Sequence, residues 1–186
     1  MNFEAIDRSA TAFMNGLSGH LPALDSFMVA VTSYGAYVMI AAVAVRWWWN
    51  HPYDKLHERH LAIRCGLSVI LGLLVNQVIL LFVHRLRPYD AGVTHLLISH
   101  SADPSFPSDH ATLAFAIAFA YLGTKARRGW GLLLAALMLA ISRVYVGTHY
   151  VFDIVGGAYV GWLGAGLARL TYREGTRLDR WATRIL

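Results

Sequence analysis

Charge is scarce in this chain. Asp, Glu, Lys and Arg make up 15% of its 186 residues, whereas apolar residues make up 56%, and the mean hydropathy is +0.46. That balance excludes an ordinary water-soluble domain and a disordered segment, and it marks a membrane protein. Cysteine is nearly absent. The single Cys65 lies inside an apolar run, so no intrachain disulfide can form, and a buried, inert thiol is expected. The formal charge is +5, yet no basic stripe interleaved with aromatics runs along a polar face, which argues against nucleic acid as a partner. A secretory signal is missing too, because Glu4 and Asp7 precede Arg8 and no continuous apolar core follows. With no repeat, low-complexity tract or linker, the chain reads as one domain, residues 1–186.

What is present is a series of long apolar runs. Residues 1–23 carry a helical stripe, Phe3, Ile6, Ala10, Phe13, Met14 and Leu17, which is too polar around its circumference to span a bilayer and is suited to lying in the interface. Leu24 to Val45 gives a first span, closed by Arg46 and the interfacial triplet Trp47, Trp48 and Trp49. Leu61 to Val83 gives a second, in which Arg64 snorkels and Asn76 and Gln77 are expected to hydrogen-bond neighbouring helices. Ser108 is a natural N-cap for a third helix ending at Leu122. Trp130 to Val146 and Val151 to Leu170 complete the set, with Gly157, Gly161 and Gly164 at close-packing spacing. The expected fold is therefore an all-α integral membrane bundle, residues 24–170, of about five transmembrane helices plus the N-terminal interfacial helix. Residues 171–186, with Arg173, Arg177, Arg180 and Arg184, read as an amphipathic surface tail.

Five spans assign each connecting segment to a side. Twelve of the sixteen basic residues then fall on one side, leaving Arg8, Arg85, Arg87 and Arg143 on the other. The positive-inside rule makes the first side cytoplasmic and the second extracytoplasmic. The third helix, 15 residues from Ser108, rises only about 22 Å, less than a hydrocarbon core of roughly 30 Å. Its outer end, and any site built there, is expected to be recessed to head-group depth.

Three polar segments share that outer side. They are Arg87-Pro88; Pro107-Ser108-Asp109-His110; and Ser142-Arg143 followed by His149 and Asp153. A histidine with an aspartate four residues on has the wiring of an activated nucleophile, one imidazole nitrogen held by the carboxylate and the other left free. Arg87 and Arg143 offer planar forks that suit a phosphate, and Ser108 with the free N–H groups of the third helix adds neutral donors. Such a site requires no metal or cofactor. His84, His95 and His100 have a spacing that matches no common zinc pattern, and they are expected to be exposed loop residues.

The three segments, separated by 18 and 31 residues, resemble the signature of the type 2 phosphatidic acid phosphatase superfamily, which also includes vanadium haloperoxidases. RPYD, HSADPSFPSDHAT, VGTHYVFD and the early GLSGHLPALDSFM look most like the bacitracin-resistance type of undecaprenyl-diphosphatase. The resemblance implies hydrolysis of a polyprenyl diphosphate lipid, undecaprenyl diphosphate, to its monophosphate on the outer face of a bacterial plasma membrane, a step in recycling the lipid carrier of cell-wall synthesis. It implies that His149 attacks phosphorus to form a phosphohistidine, that Asp153 orients it, that His110 protonates the leaving oxygen, and that Arg87, Ser108 and Arg143 bind phosphate.

The sequence departs from the family pattern twice. The first segment usually begins with a lysine seven residues before the arginine, where this chain has Leu80, and Arg85 is a candidate substitute as a phosphate contact. Asp109 replaces the usual glycine, and either adds negative charge near the phosphate or faces away. Alternative activities are a phosphatase for phosphatidic acid or phosphatidylglycerol phosphate and, from a different class, a small transporter, for which Asn76 and Gln77 are the sole hints of a polar path. A haloperoxidase is disfavoured, because those enzymes are soluble.

Overall fold

The computed structural model describes residues 2–48, 55–124 and 128–183, the side chain of Leu178 excepted. Trp49, Lys125, Arg127 and Arg184, used above for the aromatic belt and the charge count, lie outside the described residues. Seven helices follow one another among those described: α1 (Phe3–Asn15), α2 (Pro22–Trp48), α3 (Lys55–Leu80), α4 (Asp109–Leu122), α5 (Arg128–Tyr145), α6 (Val151–Thr171) and α7 (Arg177–Ala182). The architecture is all-helical, as the sequence implies. Helices α2, α3, α5 and α6 are long and apolar enough to cross a membrane.

Helix α4 is the axis of the bundle. It packs against α3, α5 and α6, and most of its 14 residues are buried, including Ala111, Ala114, Ala116, Ala118 and Tyr121. Its alanines let neighbouring backbones approach closely. Helix α6 answers with glycine: a Cβ on Gly161 would lie 2.7 Å from the Thr112 carbonyl oxygen of α4, and one on Gly164 would lie 2.5 Å from the Ser68 carbonyl oxygen of α3. The expected packing role of these glycines is therefore realised, α6 being wedged between two backbones. Around this centre α2, α3, α5 and α6 turn large apolar side chains outward, among them Tyr37, Ile70, Leu74, Leu134, Tyr159 and Trp162. In lipid this is the natural arrangement, because outward apolar groups cost nothing there.

The structure revises several boundaries. Helix α3 begins at Lys55, six residues ahead of its apolar run, because Glu58, Arg59 and His60 are buried against neighbouring elements. Glu58 pairs with Arg128 of α5 and Arg46 of α2. Helix α4, the expected third helix, is as short as expected, 14 residues rising about 21 Å, and it is enclosed by the bundle. The tail differs as well. Within its described residues the helix is limited to α7, which docks through polar groups: Asp179 receives the backbone N–H of Gly175 and contacts His60 of α3 at 3.0 Å.

Helix α1 lies across one end of the bundle with its polarity inverted relative to a soluble helix. Asp7, Thr11 and Asn15, four residues apart, are buried, while Phe3, Ile6 and Phe13 face outward. The large apolar residues of the stripe read from the sequence thus lie on the outer side of the helix.

Candidate active site

All three polar segments converge where α1, the amino-terminal ends of α4 and α6, and the carboxy-terminal end of α5 meet. Arg143 is on the last turn of α5, and the turn that follows reverses the chain at Gly147, whose φ is +85°. A Cβ there would lie 2.4 Å from the His95 carbonyl oxygen, so only glycine lets the 92–97 loop close over this turn. Leu97 N–H donates to the Val146 carbonyl, and the Thr94 hydroxyl donates to that of Gly147. Two residues later comes His149, which is 3% exposed.

His149 is not on a helix. It precedes Tyr150, the N-cap of α6, and Asp153 is the third residue of that helix. The expected direct wiring between the two changes accordingly. His149 Nδ1 lies 2.9 Å from the Ser105 carbonyl oxygen and 3.6 Å from Asp153 Oδ2. Since a carbonyl only accepts, Nδ1 carries the hydrogen and Nε2 holds the free lone pair. Asp153, fully buried, spends its oxygens elsewhere: Oδ2 accepts from the Tyr150 N–H at 2.8 Å and from the Ser105 hydroxyl, and Oδ1 accepts from Arg85 Nη1 at 2.7 Å. Asp153 thus holds the Ser105 segment, and the carbonyl of Ser105 holds the histidine.

Electrostatics keep that histidine neutral. Burial lowers its pKa; the Asp153 carboxylate opposes this, and the charges of Arg143 and Arg87 reinforce it. Arg87 is 7% and Arg143 8% exposed. Arg87 donates to the carbonyls of Asp103 (2.8 Å) and Thr148 (3.1 Å) and to the Ser101 hydroxyl (3.3 Å). Arg143 donates to the Thr32 hydroxyl of α2 at 2.9 Å, and its buried Nε has no partner among the described residues. Neither guanidinium meets a carboxylate among the described residues. Two buried positive charges without a counter-charge among the described residues are costly alone, and such an arrangement suits an anion.

Ser108 caps α4, accepting from the Ala111 N–H at 3.4 Å, while its own N–H donates to the Asp153 carbonyl. His110, on the first turn of α4, is partly exposed. Asp109 accepts from Asn76 Nδ2 of α3 at 2.6 Å, and the same nitrogen lies 2.9 Å from the Thr112 hydroxyl oxygen. That contact turns Asp109 toward α3 and gives Asn76 its expected interhelical role. Arg85 lines a polar hollow of about 570 Å³ together with Arg87, His84, His100 and Asp103. Its Nη1 and Nη2 are both taken by carboxylates, of Asp153 and Asp7. Burial works against its charge, but those two partners outweigh burial and raise its pKa.

Sequence reasoning missed Ser105, Thr32, Asp7 and Thr11. A backbone acceptor such as the Ser105 carbonyl leaves no mark in a sequence. Thr32 had one, a hydroxyl inside an apolar run, and Asp7, Thr11 and Asn15 had theirs in the four-residue spacing of one polar face.

Known proteins resemble this chain in sequence and in fold. The chain is 37% identical over 147 residues to the undecaprenyl-diphosphatase BcrC of Bacillus subtilis, covering 79% of this chain and 74% of that one. It is 28% identical to an undecaprenyl-diphosphatase of Sulfolobus acidocaldarius, covering 86% and 71%. Its fold matches the crystal structure of Aquifex aeolicus LpxE with a TM-score of 0.71 at 22% identity, covering 88% of this chain and 94% of that one. The sequence model of the PAP2 superfamily matches residues 61–177, which hold every residue of the three polar segments, and the chain belongs to that superfamily.

Proposed function

We propose that this membrane phosphatase hydrolyses a polyprenyl diphosphate, undecaprenyl diphosphate, to the monophosphate through a phosphohistidine. The observation that carries the reading is the pair of buried arginines, Arg87 and Arg143, which meet no carboxylate among the described residues, beside a histidine whose Nδ1 is held by the Ser105 carbonyl. Similarity to relatives named undecaprenyl-diphosphatase supports the choice of lipid.

In this mechanism the terminal phosphate sits between the two arginines, with Ser108 and the start of α4 at its edge. Nε2 of neutral His149 attacks the terminal phosphorus, and the bond from that phosphorus to the bridging oxygen breaks. His110 gives its proton to the departing lipid monophosphate. Water then attacks the phosphohistidine, returning a proton to His110, and inorganic phosphate leaves as the histidine recovers its lone pair. The arginines stabilise charge on the equatorial oxygens, which is the main catalytic requirement of phosphoryl transfer. Arg85, committed to Asp153 and Asp7, supports the nucleophile's surroundings and leaves phosphate contact to Arg87 and Arg143. The distribution of basic residues in the sequence supports a site on the extracytoplasmic face of a bacterial plasma membrane, where it would return the cell-wall lipid carrier to use.

The purified protein is expected to release phosphate from undecaprenyl diphosphate in the presence of EDTA, and His149→Ala to release none. A panel including phosphatidic acid and phosphatidylglycerol phosphate checks the lipid; faster turnover of either would reassign the substrate.

A further inference from the structure

Helix α1 lies outside the residues matched to the superfamily, 61–177, yet it touches the nucleophile's segment at two places. The first two N–H groups of α6 have no acceptor within their own helix, as at any helix start. Val151 N–H donates to the Thr11 hydroxyl at 3.1 Å, and Phe152 N–H donates to Asp7 Oδ1 at 2.9 Å. The cap of α6 is therefore supplied in part by another helix. Asp7 Oδ2 also accepts from Arg85 Nη2 at 2.6 Å, while Nη1 of the same guanidinium donates to Asp153 at 2.7 Å. Both carboxylates are fully buried, and the Arg85 charge rests 3.8 Å from the centroid of the Tyr150 ring. A continuous chain of contacts runs from Asp7 through Arg85, Asp153 and Ser105 to His149 Nδ1.

Resting on the phosphohistidine reading above, we propose that Asp7 is a positioning residue for His149, sharing the charge of Arg85 so that Asp153 keeps its negative influence on the nucleophile. A single arginine placed against one carboxylate would neutralise it. Placed between two, it leaves the pair with one net negative charge, part of which His149 feels. The titratable and charged groups around the nucleophile are Arg85 and Arg87 from the loop, His110 from α4, Arg143 from α5 and Asp153 from α6. Arg8, the neighbour of Asp7, turns instead to Glu4 and the Ala91 carbonyl.

The test separates this role from capping. Asp7→Asn keeps an oxygen to accept from Phe152 N–H but removes the charge that Arg85 shares. Asp153 is then more fully neutralised and protonated His149 loses support, so its pKa falls. On undecaprenyl diphosphate the acidic limb of kcat is expected to move down by about 0.5–1 pH unit. kcat at pH 7 is expected to fall about 3- to 30-fold with KM nearly unchanged. An unmoved limb with parental kcat would overturn the proposal and leave Asp7 as a cap alone. Arg85→Gln removes the shared cation, so adding Asp7→Asn to it is expected to change neither kcat nor the limb. A further loss in that double variant would also overturn the proposal, and this comparison decides the matter if Asp7→Asn alone fails to fold. Turnover persisting in His149→Ala would instead sink the phosphohistidine reading, whatever Asp7 does.

Discussion

Both ends of this bundle gather histidine, aspartate and arginine, and they do so to opposite effect. At the end formed by the start of α3 and by α7, His60 Nδ1 meets Asp179 at 3.0 Å and the Tyr172 hydroxyl at 2.8 Å. Arg64 meets Glu174 at 2.6 Å, Arg46 and Arg128 share Glu58, and Arg59 donates to the Thr183 carbonyl. Arg46, His60, Arg64 and Arg128 each face a carboxylate there. At the other end Arg87 and Arg143 are more deeply buried than Arg46, Arg64 or Arg128, and among the described residues they meet carbonyl and hydroxyl oxygens and no carboxylate. A cluster of the same residue types is structural when its charges cancel within the protein, and it becomes a binding site when they await a ligand.

The largest expected effect that sharpens this contrast is at Arg143. Arg143→Met removes a buried charge that has no counter-charge among the described residues, so the variant is expected to melt no lower than the parent while kcat on undecaprenyl diphosphate falls on the order of 10²- to 10³-fold. Melting well below the parent would show that the protein itself satisfies Arg143. The opposite end is expected to behave in reverse. His60→Ala breaks contacts to Asp179 and Tyr172, costing about 1–3 kcal/mol of stability by denaturant unfolding, with kcat within about twofold of the parent. A collapse of turnover in folded His60→Ala would break the comparison.

The smallest effect is in the pH profile. Burial, reinforced by Arg143 and Arg87 against Asp153, lowers the pKa of His149. The reactive neutral form therefore persists as pH falls through the ordinary histidine value of about 6.5, and the acidic limb of kcat/KM is expected below it. A limb above 6.5 would mean that Asp153 outweighs burial and the two arginines.

The two ends also differ in how legible they were. Three short polar segments among apolar runs sufficed to place Arg87, Ser108, His110, Arg143, His149 and Asp153 in one site, because charged residues survive in such surroundings only for a reason. The helical bundle followed from run lengths alone. The enclosure of α4 did not, since an apolar helix bound for lipid and one bound for a protein interior share the same composition. Nor did the arrangement of His149 and Asp153 follow, because the four-residue spacing suggests a direct pairing of imidazole and carboxylate, whereas Asp153 is spent on the Tyr150 N–H at the helix start. The early part of α3 was hidden for a related reason: Glu58, Arg59 and His60 look like a loop until their partners on other elements are known. Helix α1 gives the clearest case, its apolar stripe being conspicuous in sequence while its polar stripe, Asp7, Thr11 and Asn15, is what the fold buries.

The central claim is that the end with unanswered cations transfers a phosphoryl group through His149. It is tested most directly by rapid acid-free quenching of the purified protein during turnover of undecaprenyl diphosphate labelled in its terminal phosphate. An acid-labile, base-stable phosphoryl label is expected on the His149 peptide and is expected to be absent from His149→Ala. Turnover with no label on the protein, or a label on another residue that survives in His149→Ala, would contradict it.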